Sequence, residues 1–411
     1  MFTSSEAPRF LRYVTYDTQS DENSKTYPST DKQLALLKQL VKELKDIGAV
    51  DASIDQYGYV MATIPATPGQ EHVPTIGFIA HVDTSPEVSG AQVRPIVHDN
   101  YDGRDLVLPD DPAYVLRLAD NPELEPQHGN DVITASGHTL LGADDKAGVA
   151  EIMAAADYRM AHPDVVHGPV KIGFTPDEEV GRGTQYFDVA RFGARYAYTL
   201  DGGNLGVLET ENFSANAMTV VFKGFNAHPG YAKGRMVSAM KLAAEFIHRL
   251  PRHGMSPETT DEYEGYVHPH TLQGAVERST LKLLLRDFSM KGLDDKAKLL
   301  TELAEEIVRP YPTASVEITV EEQYRNMKEV FEQHPEVVEH ARKGMERAGV
   351  TPRLHQIRGG TDGARLSFMD LPTPNLFAGQ HNIHSRLEWV SVQDMDKAVD
   401  TIVQICRSWA E

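Results

Sequence analysis

The sequence predicts an α/β protein: a discontinuous core whose sheet has parallel members, interrupted by an inserted α+β domain. Three observations carry that prediction. Apolar runs that read as strands alternate with amphipathic runs that read as helices, as in a sheet with crossover connections. Three of those apolar runs end in a histidine or in acids. Near residue 212 the character changes to strand, helix, strand, helix, strand, a small α+β layer, before two further helices close the chain.

The elements follow in order. Leu34, Leu37, Val41 and Leu44 recur at helical spacing, so residues 30–47 read as an amphipathic helix; Ser29 or Thr30 can cap its start and Gly48 can end it. "YVMATIPA" reads as a strand, and "VPTIGFIAHVDT" as a central strand that reaches a site. Residues 93–130, rich in Pro, Asp and Asn, read as surface loops with short strands. "DDKAGVAEIMAAADYRMA" reads as a helix with Ala on its close-packing face, and "PVKIGFT" and "RYAYTL" as strands. Beyond 212, "SANAMTVVFKG", "TLKLLLRDF" and "ASVEITVEEQYRN" read as strands, separated by the helices "GRMVSAMKLAAEFIHRLP" and "DDKAKLLTELAEEIVRP". "EVVEHARKGMERAG" and "VQDMDKAVDTIVQICRSWA" are helices that return to the first domain. The expected domains are therefore 1–211 with 324–411, and an insert at 212–323. No internal repeat, coiled coil or low-complexity linker is present in the sequence.

Bulk composition narrows the function classes. The 411 residues, 41% of them apolar, are ample for a packed core and suggest two or three domains. Sixty acids against 40 Lys plus Arg give a net charge of −20, the opposite of a nucleic-acid binder. The single cysteine, Cys406, excludes an intramolecular disulfide and a cysteine zinc site; its apolar helical setting reads as a buried structural thiol. "MFTSSEAPRF" has neither the basic nor the apolar region of a signal peptide, and no run approaches the ~18 apolar residues of a membrane span. A soluble, cytoplasmic protein with no nucleic-acid or membrane partner is expected.

The chemistry gathers at strand ends. "TIGFIA" runs into His81 and Asp83, "KIGFT" into Asp177, Glu178 and Glu179, and "YAYTL" into Asp201. Open α/β sheets bind ligands beyond the carboxyl ends of their strands, so parallel neighbours would bring these groups to one edge. "GADDKAG" adds Asp144 and Asp145 before a helix, and "GQHNIHSRLE" offers His381 and His384. Singly, each has an ordinary explanation: a polar pair, an N-cap, a solvated turn. Together, so many converging acids would be strongly destabilising unless cations sat among them. Two histidines and three carboxylates suit zinc, manganese or cobalt better than magnesium or calcium. Five ligands are too many for one open catalytic zinc and suit two metals sharing a bridging carboxylate.

The motifs "HVDT", "LLGADDKAG", "TPDEEVG", "DGG", "NAHPG", "IRGGTDGA" and "NIH" stand in an order and spacing that resembles the dizinc exopeptidases. That family includes carboxypeptidase G, aminoacylase and succinyl-diaminopimelate desuccinylase. The similarity runs from "FLRYVTYDTQS" to "LEWVSVQDMDKAV", essentially the whole chain. It implies a zinc-exopeptidase-like catalytic domain with a mixed, largely parallel sheet, two Zn2+ per subunit, and an inserted lid that also forms a homodimer. The resemblance gives His81 and Asp201 to the first metal, Glu179 and His384 to the second, and Asp144 to both. It implies a cis peptide between Asp144 and Asp145, an imidazole-orienting role for Asp83, and the general base for Glu178. His228 matches a lid histidine that stabilises an oxyanion, although its local sequence reads as a plain turn before Pro-Gly. Arg286 and Arg358 are candidates to hold a substrate carboxylate; Arg286 could instead pair with Asp287. Asn382 is a candidate for the substrate main chain. Asp201, where many relatives have Glu, points to peptides with a free amine, and the implied activity is a tripeptide aminopeptidase. A dipeptidase, carboxypeptidase or N-acyl amino acid hydrolase is the alternative within the same chemistry. A non-enzymatic relative should have lost ligands, and none is missing. Asp177 receives no role, and His381 reads as a pocket-rim residue with an exchange of ligands with His384 left open.

Overall fold

The strand Ile76–His81 is buried along its whole length between two parallel neighbours, Val170–Thr175 and Tyr196–Gly202. Burial on both faces is why these segments read as continuous apolar runs rather than alternating ones. They form the middle of an eight-stranded sheet in the order Ser53–Ile54, Val60–Ile64, Val170–Thr175, Ile76–His81, Tyr196–Gly202, Asn375–Phe377, Val207–Asn212 and Arg353–Ile357. Val60–Ile64 is antiparallel to its neighbour, while Asn375–Phe377 continues the parallel run. The sheet is thus mixed, with a parallel centre. The computed structural model describes residues 5–411.

The chain forms two compact units. One comprises residues up to Thr210 together with Glu329–His355 and Thr361–Glu411; the other comprises Glu211–Lys328 with Gln356–Gly360. In the first, the helix Ala143–Ala161 lies so close to the sheet that a Cβ on Gly148 would stand 2.0 Å from the Leu200 carbonyl oxygen. Glycine and the small alanines around it permit that approach. A short helix not apparent from the sequence, Glu6–Tyr13, buries Phe10 and Tyr13. The next helix runs over Gln33–Asp46, later than the spacing suggested. Lys32 takes its N-cap position without a side-chain cap, and Ser29, an expected cap, donates to Asp177 instead. Gly48, at φ +107°, does end the helix. Cys406 is buried in the helix Val392–Trp409, as its setting suggested.

A second, antiparallel sheet of the same unit joins Gln380–His381, Trp389–Ser391, Val132–Thr134 and Ile96–His98. These strands are two or three residues long, too short to show a period.

The inserted unit has four antiparallel strands, ordered Tyr266–Gly274, Arg278–Asp287, Ser214–Lys223 and Ser315–Tyr324. Its own core includes Val220, Phe222, Phe246, Leu283 and Leu300, beneath the helices Ala239–Arg249 and Met290–Val308. The strand Tyr266–Gly274 was not legible in the sequence. Pro269 interrupts its pattern, and proline is tolerated there because the strand is at an edge and shifts register beside it. Among the described residues, no helix is long and apolar enough to cross a membrane.

Candidate metal centre

Three adjacent parallel strands end at one edge of the sheet, and the chemistry of the sequence meets there. His81 closes Ile76–His81, Asp201 lies near the end of Tyr196–Gly202, and Glu178 and Glu179 follow Val170–Thr175. Asp144 stands among them with one oxygen toward each histidine. Its Oδ1 is 3.0 Å from His81 Nε2, and its Oδ2 is 3.1 Å from His384 Nε2. Asp201 Oδ1 lies 3.8 Å from His81 Nε2, and Glu179 Oε2 lies 2.9 Å from His384 Nε2. The donors therefore form two groups, His81–Asp144–Asp201 and Asp144–Glu179–His384, each with ligand atoms within 4.8 Å of one another. Asp144 belongs to both.

The surroundings hold these groups in place. The Asp144–Asp145 peptide bond is cis, and Asp145 turns back so that its Oδ2 accepts from His81 N at 3.1 Å. Asp83 is fully buried; its carboxylate accepts from the main-chain N–H of Glu178 at 3.0 Å and of Glu179 at 3.2 Å. It also lies 3.4 Å from His81 Nδ1, whose shorter contact, 3.1 Å, is to the Asp83 main-chain oxygen. Asp83 thus ties two strand ends together as well as facing the imidazole. Gln380 donates its amide to Asp201 Oδ1 at 3.0 Å, and Asp201 N donates to Asn375 Oδ1.

Asp177, the third acid of "DEE", faces the other way. It is fully buried and accepts from Ser29 N at 2.6 Å, Ser29 Oγ at 2.5 Å and Gln33 Nε2 at 2.7 Å. It pins the segment leading into the helix Gln33–Asp46. His381 belongs to neither donor group; its ring stacks on Trp389 at 3.9 Å, and burial holds it down to about 4. The Asn382 amide is engaged with Asn121 Oδ1 at 2.7 Å and Leu387 O at 3.2 Å, where it braces the loop that carries His384.

The protonation of the donors shows what the cluster demands. Hydrogen bonds to Asp144 and Glu179 lift His384 to about 11. Burial pulls His81 down, yet Asp144, Asp201 and Asp83 outweigh it and hold the imidazole well above its usual range. Burial, then Asp144, pushes Glu179 up to about 8 and Asp201 up to about 6. Imidazoles that attract protons, beside acids that resist losing theirs, mark a pocket in need of positive charge. Divalent cations that take nitrogen and oxygen ligands fit that demand. Glu179 Oε1, buried and without a hydrogen-bond partner, is a further donor free to meet it.

Glu178 stands outside both groups. Burial first, and then Asp362, raises its carboxyl well above the ordinary range. Asp362, at the start of the helix Asp362–Ser367, accepts from Thr175 Oγ1 at 3.1 Å. Nothing in "IRGGTDGA" gives Asp362 a role; only its burial beside the strand ends marks it.

The remaining candidates lie in the inserted unit. His228 is exposed, accepts from Gly230 N at 3.1 Å, and lines a cavity of about 970 Å³ with Tyr231, Arg235 and Tyr311. Arg286 donates to the carbonyls of Leu285 and Asn216 and lies over the Tyr324 ring at 5.3 Å. Its suggested partner Asp287 binds Lys296 and Ser289 instead. Arg358 engages both terminal nitrogens, with the carbonyls of Glu262 and Glu264 and with Thr260, and stacks on Phe213.

An open α/β sheet with histidine and carboxylate donors converging beyond parallel strands is the architecture of a metallopeptidase. The chain belongs to the peptidase family M20/M25/M40, whose profile matches residues 108–408. It is 52% identical to peptidase T of Clostridium acetobutylicum, over 98% of each chain. The fold is also similar to that of aminopeptidase PepT from Bacillus cereus, with TM-score 0.77 and 24% identity over 99% of this chain and 98% of that one. A tripeptidase from Staphylococcus aureus gives TM-score 0.77 and 21% identity over the full length of both chains.

Proposed function

We propose that this chain is a dinuclear zinc aminopeptidase that releases the N-terminal residue from tripeptides. The observation that carries the reading is Asp144, one carboxylate with an oxygen toward each of two imidazoles, at 3.0 and 3.1 Å. The tripeptidase and aminopeptidase descriptions of the similar proteins support the substrate class. In this reading His81, Asp144 and Asp201 hold one cation, and Asp144, Glu179 and His384 the other. When bound, the two cations acidify water and polarise the scissile carbonyl.

The protein groups do the rest. Glu178 takes a proton from the attacking water as its oxygen bonds to the carbonyl carbon. As the C–N bond breaks, Glu178 returns that proton to the amine nitrogen of the departing dipeptide. Asp83 fixes the His81 ring and, through the Glu178 and Glu179 main chain, the position of the base. His228 stabilises the oxyanion. The substrate carboxylate is taken by arginine: Arg286 has the freer guanidinium, since Arg358 is spent on main-chain carbonyls. Asn382 meets the substrate main chain through Oδ1, since its NH2 is engaged by Asn121 and Leu387. The insert at 212–323 acts as lid and homodimer contact, through the unpaired edges of its sheet, in a cytoplasmic enzyme.

A substrate panel tests the reading. Trialanine, dialanine, N-acetyl-trialanine and N-acetyl-alanine are compared by the amino acid each releases. Only free trialanine should be cut, giving alanine and dialanine. An undiminished rate on the acetylated tripeptide would sink the aminopeptidase reading.

A further inference from the structure

His384 sits in a hairpin. Gln380 pairs with Val390 and His381 with Trp389, and residues 382–388 form the connecting loop. Glu388 closes that loop and is 1% exposed. Its carboxylate takes three main-chain N–H donors from a distant segment. Oε2 accepts from Leu141 at 2.7 Å and Gly142 at 2.8 Å, and Oε1 accepts from Asp144 at 3.0 Å. These donors precede or open the helix Ala143–Ala161, where N–H groups have no intrahelical partner. Gly142 at the N-cap supplies no side chain to satisfy them.

The consequence reaches the donor groups. Asp144 must aim its two oxygens in different directions, at His81 and at His384. Its own N–H is fixed by Glu388, four residues beyond His384 in the same hairpin. One short loop therefore supplies a ligand of one group and sets the backbone that carries the carboxylate common to both. We infer that Glu388 is a positioning residue of the metal centre, holding Asp144 in bridging geometry and coupling it to the loop of His384. The inference rests on the dinuclear reading above.

The chemistry of the side chain makes it testable. Glutamine in this place has one acceptor oxygen, and its NH2 must face at least one of the three N–H donors. Aspartate keeps both acceptors but draws them back by one methylene. Wild type, Glu388→Gln and Glu388→Asp are stripped of metal and titrated with zinc by calorimetry, with circular dichroism as a check on folding. Glu388→Gln should bind zinc about tenfold to a hundredfold more weakly, the usual effect of losing a group that orients a ligand. Glu388→Asp should recover part of that loss, and it carries the comparison if the glutamine variant does not fold. At saturating zinc, kcat should fall while KM for trialanine changes little. Wild-type zinc affinity in both variants, with only the melting temperature lowered, would make Glu388 a plain helix cap and overturn the inference. A wild-type chain that takes up zinc yet leaves trialanine intact overturns the tripeptide reading alone, because the titration still decides Glu388. A wild-type chain that takes up no zinc overturns both.

Discussion

Glu178 and Glu179 are adjacent in sequence, yet they meet different surroundings. Glu179 faces His384, while Glu178 lies outside both donor groups and is raised by burial and Asp362. Glu178→Gln should keep its metal, by elemental analysis, and lose about a hundredfold to ten-thousandfold in kcat, the usual worth of a general base. Loss of metal instead would mean that the two neighbours had been assigned in the wrong order. Away from the site, His167 is 4% exposed, and its Nδ1 lies 2.7 Å from the Gly168 carbonyl oxygen, a contact the neutral ring satisfies by donating. Burial, and then Arg159, pushes it from its ordinary 6.5 down to about 4. Between those values the unfolded chain binds more protons than the folded one. Stability from this residue is thus fully present above pH 6.5 and lost as the pH falls toward 4. The loss should be on the order of 2–3 kcal/mol. Guanidinium unfolding of wild type and His167→Gln at about pH 4.5 and pH 7.5 checks it; equal losses in both proteins would refute it. The candidate ligands His81, Asp144, Glu179, Asp201 and His384 were legible as residues because each sits at a strand end or in a distinctive short motif. Asp177 stands at the same strand end, but its role is not legible there, because its partners, Ser29 and Gln33, lie some hundred and forty residues away in sequence.

At the level of elements, long and periodic segments are legible in the sequence and short ones are not. The helices Ala143–Ala161 and Val392–Trp409 and the three parallel strands carry enough apolar residues to declare themselves. The hairpin between Gln380 and Ser391 does not, since its strands have two and three residues. It nonetheless carries His384, and with Glu388 it reaches back to the helix that carries Asp144. The Glu388 variants address this element directly. They ask whether the hairpin merely caps a helix or sets the geometry of the donors. The edge strand Tyr266–Gly274 is hidden for another reason, since a proline and a register shift erase its alternation.

For the whole molecule, the central fact is the concentration of buried acid at one sheet edge. The chain carries a formal charge of −20, and most of its acids are solvated and favour solubility. Asp144, Asp145 and Asp83 are different, because they are buried together among the strand ends. A ligand that binds only the folded state stabilises it in proportion to its free concentration over Kd. Dialysis against a chelator should therefore lower the melting temperature, and restored zinc should raise it by about 4 °C or more, the effect of ~2–3 kcal/mol in a chain of this size. An unchanged melting temperature across chelation and zinc addition would speak against a cation in the folded cluster.

Local pattern was enough to determine a mixed α/β fold and to gather a set of donors that imply cations. Strand ends, helix starts and short motifs are properties of neighbouring residues, and neighbouring residues are what a sequence displays. Only the tertiary structure decided that the three strands are adjacent and parallel, that Asp144 faces both histidines, and that Glu388 holds the Asp144 backbone. It alone turned Asp177 away from the centre and committed Arg358 to main-chain carbonyls. These are contacts between segments brought together by burial of the core, and such packing leaves no periodic trace in either partner.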